Sequence, residues 1–384
     1  MVQACELTAS QSVGAYDLQA GAASAERTTK PTVTVVGAGN SARALSCYLS
    51  SRGHPVHLLA RSPEKIAALS KQRQMKCFGK LEGEFPLAMV TSDPANAIEQ
   101  ANTIFVATVT TAYPVVARWL APHLQSGQEV ILFSSKFGGV LEFSEILRLS
   151  GVAGVTVLET DALFACRTQE DESVWIRGFK NWTLYSGVSR SETIRTNDVM
   201  RRYFPGLQPA DNVVQRGLTD FGALAHPLTM LANMNRIDLQ QPFLFYHEGF
   251  TERTIALMET MEKEFQNIAQ AYGTTIIPMA ELLNRYYGCE TTSLLTAMRT
   301  VPNYQHSQAP ATLKHRYIEE DVACSLVPVS RLARMADLDT PVLNGVIALA
   351  AALVGLDLNN SCRSLEHLGW ANMTYKEIVR SINA

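Results

Sequence analysis

From Pro31 onward, apolar positions along the chain fall into two regimes. In the first, short apolar runs alternate with segments of helical spacing. Thr32-Val33-Thr34-Val35-Val36 is rich in β-branched residues, as a buried strand requires. It runs into Gly37-Ala38-Gly39, after which Ala42, Leu45 and Leu49 recur on one helical face until Gly53 stops the pattern. Val56 to Ala60 is a second apolar run and completes a β-α-β unit of about 30 residues. A helix is predicted over Glu64 to Lys71 and a strand over Leu87 to Val90. Asp93 is placed to cap a helix whose first residue is Pro94. Strands follow at Thr103 to Ala107, Val130 to Phe133, Val155 to Leu158 and Trp182 to Tyr185, with a helix at Pro114 to Leu120. Strands separated by helices predict a largely parallel sheet covered on both faces.

After about Val214 the strands stop. Ile255, Met258, Met261, Phe265, Ile268 and Tyr272 repeat at helical spacing, so Thr251 to Tyr272 reads as one long amphipathic helix ended by Gly273. Further helices are expected over Met279 to Tyr287, Glu319 to Ala336, Val342 to Val354 and Tyr375 to Ile382. Residues 1–30 differ from both regimes. They are rich in Ala, Ser, Thr and Gln and lack the basic start and apolar run of a signal peptide, so a flexible tail is expected there.

Composition narrows the function classes. The 384 residues are 47% hydrophobic and 18% charged, a globular balance that excludes wholesale disorder. A formal charge of −3 and the absence of a Lys/Arg run argue against nucleic acid as a partner. The most apolar window, Val342 to Leu358, is interrupted by Asn344, Gly345, Gly355 and Asp357, so it reads as a buried helix rather than a membrane span. The seven cysteines are scattered, odd in number and never spaced C-x-x-C. That pattern predicts neither disulfides nor a metal site, and fits a reducing cytoplasm.

The turn after the first strand carries chemistry. Gly37-x-Gly39-x-x-Ala42 combines a tight turn, close backbone approach to a pyrophosphate and close helix–sheet packing, with helix N–H groups facing the phosphates. Gly37, Ala38, Gly39, Asn40, Ser41 and Ala42 are therefore the expected cofactor cradle. The second strand ends Ala60-Arg61-Ser62, without the acidic residue that grips a ribose 2′-hydroxyl. Arg61 and Ser62 suit a 2′-phosphate, so NADP(H) is expected over NAD(H). The fold class is then α/β. A Rossmann-type NAD(P)-binding domain over residues 31–213 precedes an all-α substrate domain over residues 214–384.

Two segments of the helical half mix reactive groups. Leu224-Ala225-His226-Pro227-Leu228 places a histidine before a proline expected to begin a helix. Histidine moves protons near neutral pH, although one at such a place is more often a packing residue. The second segment runs from Ala309 to Val322 and contains Arg316 and Asp321. Five residues apart on one continuous helix, those two would point about 140° apart. They converge if Arg316 precedes the helix and Asp321 sits in its first turn.

Together these residues resemble the opine dehydrogenase family, also called octopine/nopaline dehydrogenases. The resemblance rests on Gly37-Ala38-Gly39-Asn40, on Ala225-His226-Pro227 and on His315-Arg316-Tyr317-x-x-Glu320-Asp321-Val322. Ala165-Cys166-Arg167 and Arg363-Ser364-Leu365-Glu366-x-Leu368-Gly369 add to it. It implies an NAD(P)H-dependent reductive condensation of an amino acid with a 2-oxo acid through an imine. By that resemblance His226 is the general acid/base, Asp321 its orienting partner and Arg316 a carboxylate clamp; the residues' own chemistry leaves Lys314 and His315 as structural. Thr108, Thr110, Tyr304 and Asn233 are further candidates to line the site, Thr108 on the cofactor side and Tyr304 and Asn233 on the substrate side. The expected partners are the two small-molecule substrates, with no membrane and with room for a homodimer.

Two alternatives differ in class. A reductase of simple 2-oxo or 3-hydroxy acids, of the ketopantoate reductase kind, shares the glycine turn and helical half. It leans on a catalytic lysine, for which no obvious candidate stands in the second half. An NADP-binding sensor without turnover would have no use for a His–Arg–Asp set.

Overall fold

The structure is a computed structural model that describes residues 30–384; the expected tail of residues 1–30 lies, but for Lys30, outside the described residues. Among the described residues, twelve strands form two sheets. Eight of them are β1 (Val33–Val36), β2 (Val56–Leu59), β5 (Met89–Thr91), β6 (Thr103–Val106), β7 (Glu129–Phe133), β8 (Thr156–Thr160), β11 (Thr183–Ser186) and β12 (Leu207–Pro209). They lie in the order β12-β11-β8-β7-β6-β1-β2-β5. The six strands from β8 to β5 are mutually parallel, as expected, whereas β11 runs antiparallel to β8. The chain leaves β1 toward β2 on one side, while β6 pairs with β1 on the other. The carboxyl ends of β1 and β6 therefore flank a topological switch point, where α/β sheets bind ligands.

Period-2 alternation divides the sheet's side chains between two cores. Ile104, Val106, Val130 and Leu132 face one core, which continues without a break into the helical half. Val33, Val35, Phe105, Ile131 and Phe133 face the other. That second core is closed by a sheet the hydrophobic pattern did not predict: β3 (Gln74–Gly79), β4 (Gly83–Pro86), β9 (Phe164–Thr168) and β10 (Val174–Phe179), in the order β4-β3-β10-β9. β3 and β10 place buried residues beside exposed ones, as in the Val174/Ile176 pair against Trp175, and β4 and β9 are mostly half-buried.

Helix boundaries follow the sequence closely where caps are strong. The long helix spans Glu252–Ala271, with the Thr251 side chain accepting from the Thr254 N–H. The Met279–Tyr287 helix falls where expected. Two expectations need correction. Pro227 does not begin a helix but lies inside Phe221–Ala232, whose start is fixed by Asp220, its carboxylate accepting from the Ala223 N–H at 3.2 Å. The single helix expected over Glu319 to Ala336 is three pieces: Arg316–Asp321, a wide turn Val322–Leu326 and Val327–Met335.

Pro328 supplies a physical reason for the wide turn. It has no N–H to offer the carbonyls of Cys324 and Ala323, one turn back. Arg363 fills both vacancies: its Nη1 donates to the Cys324 carbonyl at 3.1 Å and its backbone N–H to the Ala323 carbonyl at 3.0 Å. The same guanidinium reaches buried Glu142 at 2.6 Å and the Phe137 carbonyl at 2.5 Å, tying the helical half to the segment after β7. Arg363→Met should therefore destabilise the protein by about 3–5 kcal/mol, because Glu142 is left as a buried, unpaired carboxylate. Urea unfolding at neutral pH measures this, and a loss below about 1 kcal/mol would show that the pair is not structural.

Candidate active site

Gly37 leaves β1 with φ +133°, and a β-carbon there would meet the Ala107 carbonyl at 2.6 Å, so both the turn and the closeness of β6 demand glycine. Gly39 has the opposite surroundings: a β-carbon on it would meet nothing within 4 Å. That open space lies at the start of helix α1 (Asn40–Ser51), whose amides no side chain caps. Room and uncapped N–H groups fit the pyrophosphate of a dinucleotide. Ala42 is fully buried, as the packing argument required. Asn40 accepts from the Thr168 N–H at 2.9 Å, so its amide ties the turn to β9. Arg61 follows β2 exposed, beside Ser62 at the head of a short turn beginning at Pro63. Ala38 packs at the edge of the second core, and Thr108 follows the carboxyl end of β6.

The Phe221–Ala232 helix carries His226 toward a cleft of about 340 Å³. Asp321 Oδ2 lies 2.9 Å from His226 Nδ1, and Tyr246 Oη lies 3.1 Å from Nε2. The imidazole stacks on Tyr317 with ring centroids 3.8 Å apart. Both Asp321 and the ring are therefore fixed in place, with the ring at the cleft wall. Arg316 does not precede its helix: it is the first helical residue, and Asp321 is the last of the same Arg316–Asp321 segment. The two side chains are reconciled by length. Arg316 stays half-exposed at the cleft with Nε 3.5 Å from Glu320, while Asp321 is buried beneath. Glu320 in turn accepts from the Thr110 N–H at 2.6 Å, linking this helix to the cofactor side. His315 is the helix N-cap, its Nδ1 accepting from the Tyr317 N–H, in keeping with a structural role.

Tyr304 lines the cleft and stacks on Tyr246 at 3.9 Å. Asn233 does not line it. That side chain is spent on the Thr229 and Gly249 carbonyls at 3.0 and 2.9 Å, where it joins two helical turns. Asn40 and Ser41 do line it, so the dinucleotide turn and His226 share one cavity.

Sequence reasoning missed Lys136, which arrives from the first half. It lies between β7 and the Gly139–Leu149 helix, on a segment held by two buried ions. Ser135 donates to Glu159 at 2.8 Å, and Arg216 donates to the Ser135 carbonyl at 2.6 Å. Lys136 Nζ donates to Asp220 at 3.0 Å and forms an ion pair with Asp321. Burial opposes its charge, yet Asp220 and Asp321 push its pKa up, so it stays an ammonium. Burial would likewise raise Asp321, but Lys136 first and His226 second hold its carboxyl well below the usual range. Tyr246 was missed too, and the aromatic run Phe243-x-Phe245-Tyr246 is the signal that marked it. Among the described residues no group of His, Cys, Asp or Glu is arranged to hold a metal, and no helix is long and apolar enough to cross a membrane.

A dinucleotide turn and a carboxylate-paired histidine on one cleft define a class: NAD(P)-dependent oxidoreductases built from a Rossmann-type half and a helical half. The family model for the α-helical domain of NAD/NADP octopine/nopaline dehydrogenase matches residues 209–354, and that for the N-terminus of NAD-dependent glycerol-3-phosphate dehydrogenase matches residues 32–159. The opine dehydrogenase of Arthrobacter sp. (strain 1C) is 29% identical over 345 residues, 89% of this chain and 96% of that protein. The helical half thus matches the octopine/nopaline dehydrogenase helical domain, and the chain is similar to an opine dehydrogenase along most of its length. Its fold matches octopine dehydrogenase in complex with NADH and L-arginine at a TM-score of 0.74, with 20% identity over 91% of this chain and 98% of that one. A ketopantoate reductase from Ralstonia eutropha JMP134 matches less well, at a TM-score of 0.58 and 16% identity over 84% of this chain and 98% of that one.

The depressed pKa of Asp321 sets a sign for acid stability. The contribution is complete above the unfolded carboxylate value near pH 4 and drains as pH falls toward the lower folded value. Asp321→Asn should therefore flatten the stability curve below about pH 4. Chemical denaturation across that range tests this, and an unchanged acid limb would mean that Asp321 is not the titrating group.

Proposed function

We propose that this opine dehydrogenase-type oxidoreductase joins the α-amine of an amino acid to a 2-oxo acid such as pyruvate and reduces the imine to an N-(carboxyalkyl)amino acid. One observation carries the reading: His226, held between Asp321 and Tyr246, faces the cavity that Arg316, Asn40 and Ser41 also line. NAD(P)H, when bound at Gly37 to Ala42, supplies the hydride that reduces the imine carbon.

The chain's own groups handle protons and charge. Ionised Asp321 only accepts, so His226 Nδ1 carries a proton toward it. Burial first, and then Tyr317, push the Tyr246 phenol well above its ordinary range, so it keeps its proton and has it to donate toward Nε2. Nε2 is then the basic nitrogen on the cleft side. An incoming ammonium must lose a proton before it attacks the 2-oxo carbon, and the resulting carbinolamine must gain one at oxygen to leave as water. A carboxylate-paired imidazole does both in turn. The planar fork of Arg316 suits a substrate carboxylate.

The lysine-dependent reductase alternative finds a lysine after all in Lys136. Its ammonium already faces Asp220 and Asp321, which favours a positioning role over proton donation. Arg61 and Ser62 support NADP(H) as the preferred cofactor. The same reading keeps the cytoplasm as the compartment and a homodimer as the assembly to test by light scattering.

Oxidation of NADPH should require both pyruvate and an amino acid, read at 340 nm as on the order of 10²–10⁴-fold slower in His226→Ala with NADPH affinity kept. Oxidation with pyruvate alone would support the simple reductase instead. Arg61→Asp should lower the NADPH-to-NADH preference by about tenfold or more, and an unmoved ratio of kcat/KM values would remove Arg61 from the 2′-phosphate site.

A further inference from the structure

An imine between an amino acid and a 2-oxo acid carries two carboxylates, and Arg316 answers one. The cations of the cleft differ in how far they are already neutralised. Lys136 faces Asp220 and Asp321, Lys180 pairs with Asp161, and Arg316 leans on Glu320. Arg177 also lines the cleft and, among the described residues, has no carboxylate within ion-pair distance. Its Nε is buried and makes no hydrogen bond.

The backbone shows why the side chain is there. In the β9–β10 pairing, Ile176 opposes Cys166 and Gly178 opposes Ala165, so Arg177 is the extra residue of a β-bulge. Bulges re-aim one side chain and recur beside active sites. At the next position a β-carbon on Gly178 would meet the Asn303 side chain at 2.2 Å, so glycine lets Asn303 close against the bulge. Arg177 and Asn303 form a wall shared by the cleft and a second cavity of about 350 Å³. That cavity is lined further by Lys80, Trp175, Pro302 and His306, with no Asp or Glu among its lining residues. The Arg177 guanidinium lies 5.8 Å from the Trp175 ring centroid. Cys166 connects the two arginines. Burial pushes its thiol up to about 12, while Arg177 and Arg316 both act against that rise.

We propose that Arg177 anchors the amino acid's carboxylate opposite Arg316, and that the second cavity behind it receives the amino acid's side chain. The inference rests on the condensation proposed above and names its amine substrate class: an amino acid with a neutral or acidic side chain. A pocket edged by Arg177, Lys80 and His306 and free of carboxylates disfavours a cationic side chain.

The test uses the full chain, with Arg177→Met and the conservative Arg177→Lys. Initial rates with saturating NADPH and pyruvate give kcat and KM for leucine, glutamate and arginine. Calorimetry gives the affinity of the NADP⁺-loaded protein for N-(1-carboxyethyl)leucine, a dicarboxylate of the product class. Leucine or glutamate should exceed arginine at least tenfold in kcat/KM. Arg177→Met should raise the amino-acid KM and the dicarboxylate Kd about tenfold to a hundredfold, while pyruvate KM and NADPH affinity move less than about twofold. Arg177→Lys should recover part of the loss. Amine-dependent turnover with an amino-acid KM unchanged in Arg177→Met, or a preference for arginine, overturns this assignment and leaves the condensation standing. Arg177-dependent dicarboxylate binding without amine-dependent turnover supports the subsite and overturns the reaction. Failure of both removes both.

Discussion

The arrangement depends on a single buried carboxylate. Asp321 is 2% exposed, and an unpaired carboxylate in that setting would take up a proton rather than stay charged. It stays charged because two cationic or proton-bearing groups reach it from different parts of the chain. Lys136 comes from the segment after β7, and His226 comes from the Phe221–Ala232 helix. Each half of the fold thus brings what the other's charge requires. Asp220 extends the constraint, since one carboxylate both caps the His226 helix and holds Lys136. Gly222 keeps the space clear, because a β-carbon there would lie 3.0 Å from the imidazole and 3.1 Å from the ammonium.

A second set of buried ions holds the segment that carries Lys136. Ser134 adopts φ +76°, a conformation that non-glycine residues rarely adopt and that persists where surroundings over-determine it. Glu159 and Arg216 grip Ser135 on one side, and Arg363 grips the Phe137 carbonyl and Glu142 on the other. Arg363 is available for this because Pro328 left carbonyls open in the wide turn following Asp321. The proline, the turn, the distant arginine and the lysine therefore form one mechanical unit. It spans residues 134–363 and converges on the His226–Asp321 pair.

This unit also explains what was legible from sequence and what was not. The β-α-β unit with Gly37 and Gly39 was readable because glycine chemistry there is local: a positive φ at one position and an open approach at the other. Arg316 and Asp321 were readable through the HRYxxED pattern and His226 through Ala225-His226-Pro227, although the helix geometry around them was not. The wide turn depends on Arg363, far away in sequence, and periodicity cannot report such a partner. Lys136 was hidden for a similar reason. Its neighbours Ser134, Ser135 and Phe137 look like a loop, and its meaning lies in carboxylates 84 residues away and farther. Strands β3, β4, β9 and β10 escaped because each is short and mixes exposed with buried or half-buried residues, so no long apolar run marked them. Asn233 looked like a polar group free to meet substrate, but two backbone carbonyls between helical turns had already claimed it.

The division of labour among the cations follows from their partners. A cation locked to a carboxylate keeps its charge and position but contributes little net field, which is the right property for fixing the carboxylate that holds His226. A cation left unpaired keeps its field for an incoming anion. Lys136, with two carboxylates, belongs to the first kind, and Arg177, with none among the described residues, belongs to the second. Arg316 lies between them, half-exposed and 3.5 Å from Glu320. The formal charge of −3 gives the protein no long-range attraction for anionic substrates, so capture falls to such local groups. The β-bulge at Arg177 is then understandable as a departure from regular pairing that places an unneutralised guanidinium where regular strand pairing would not.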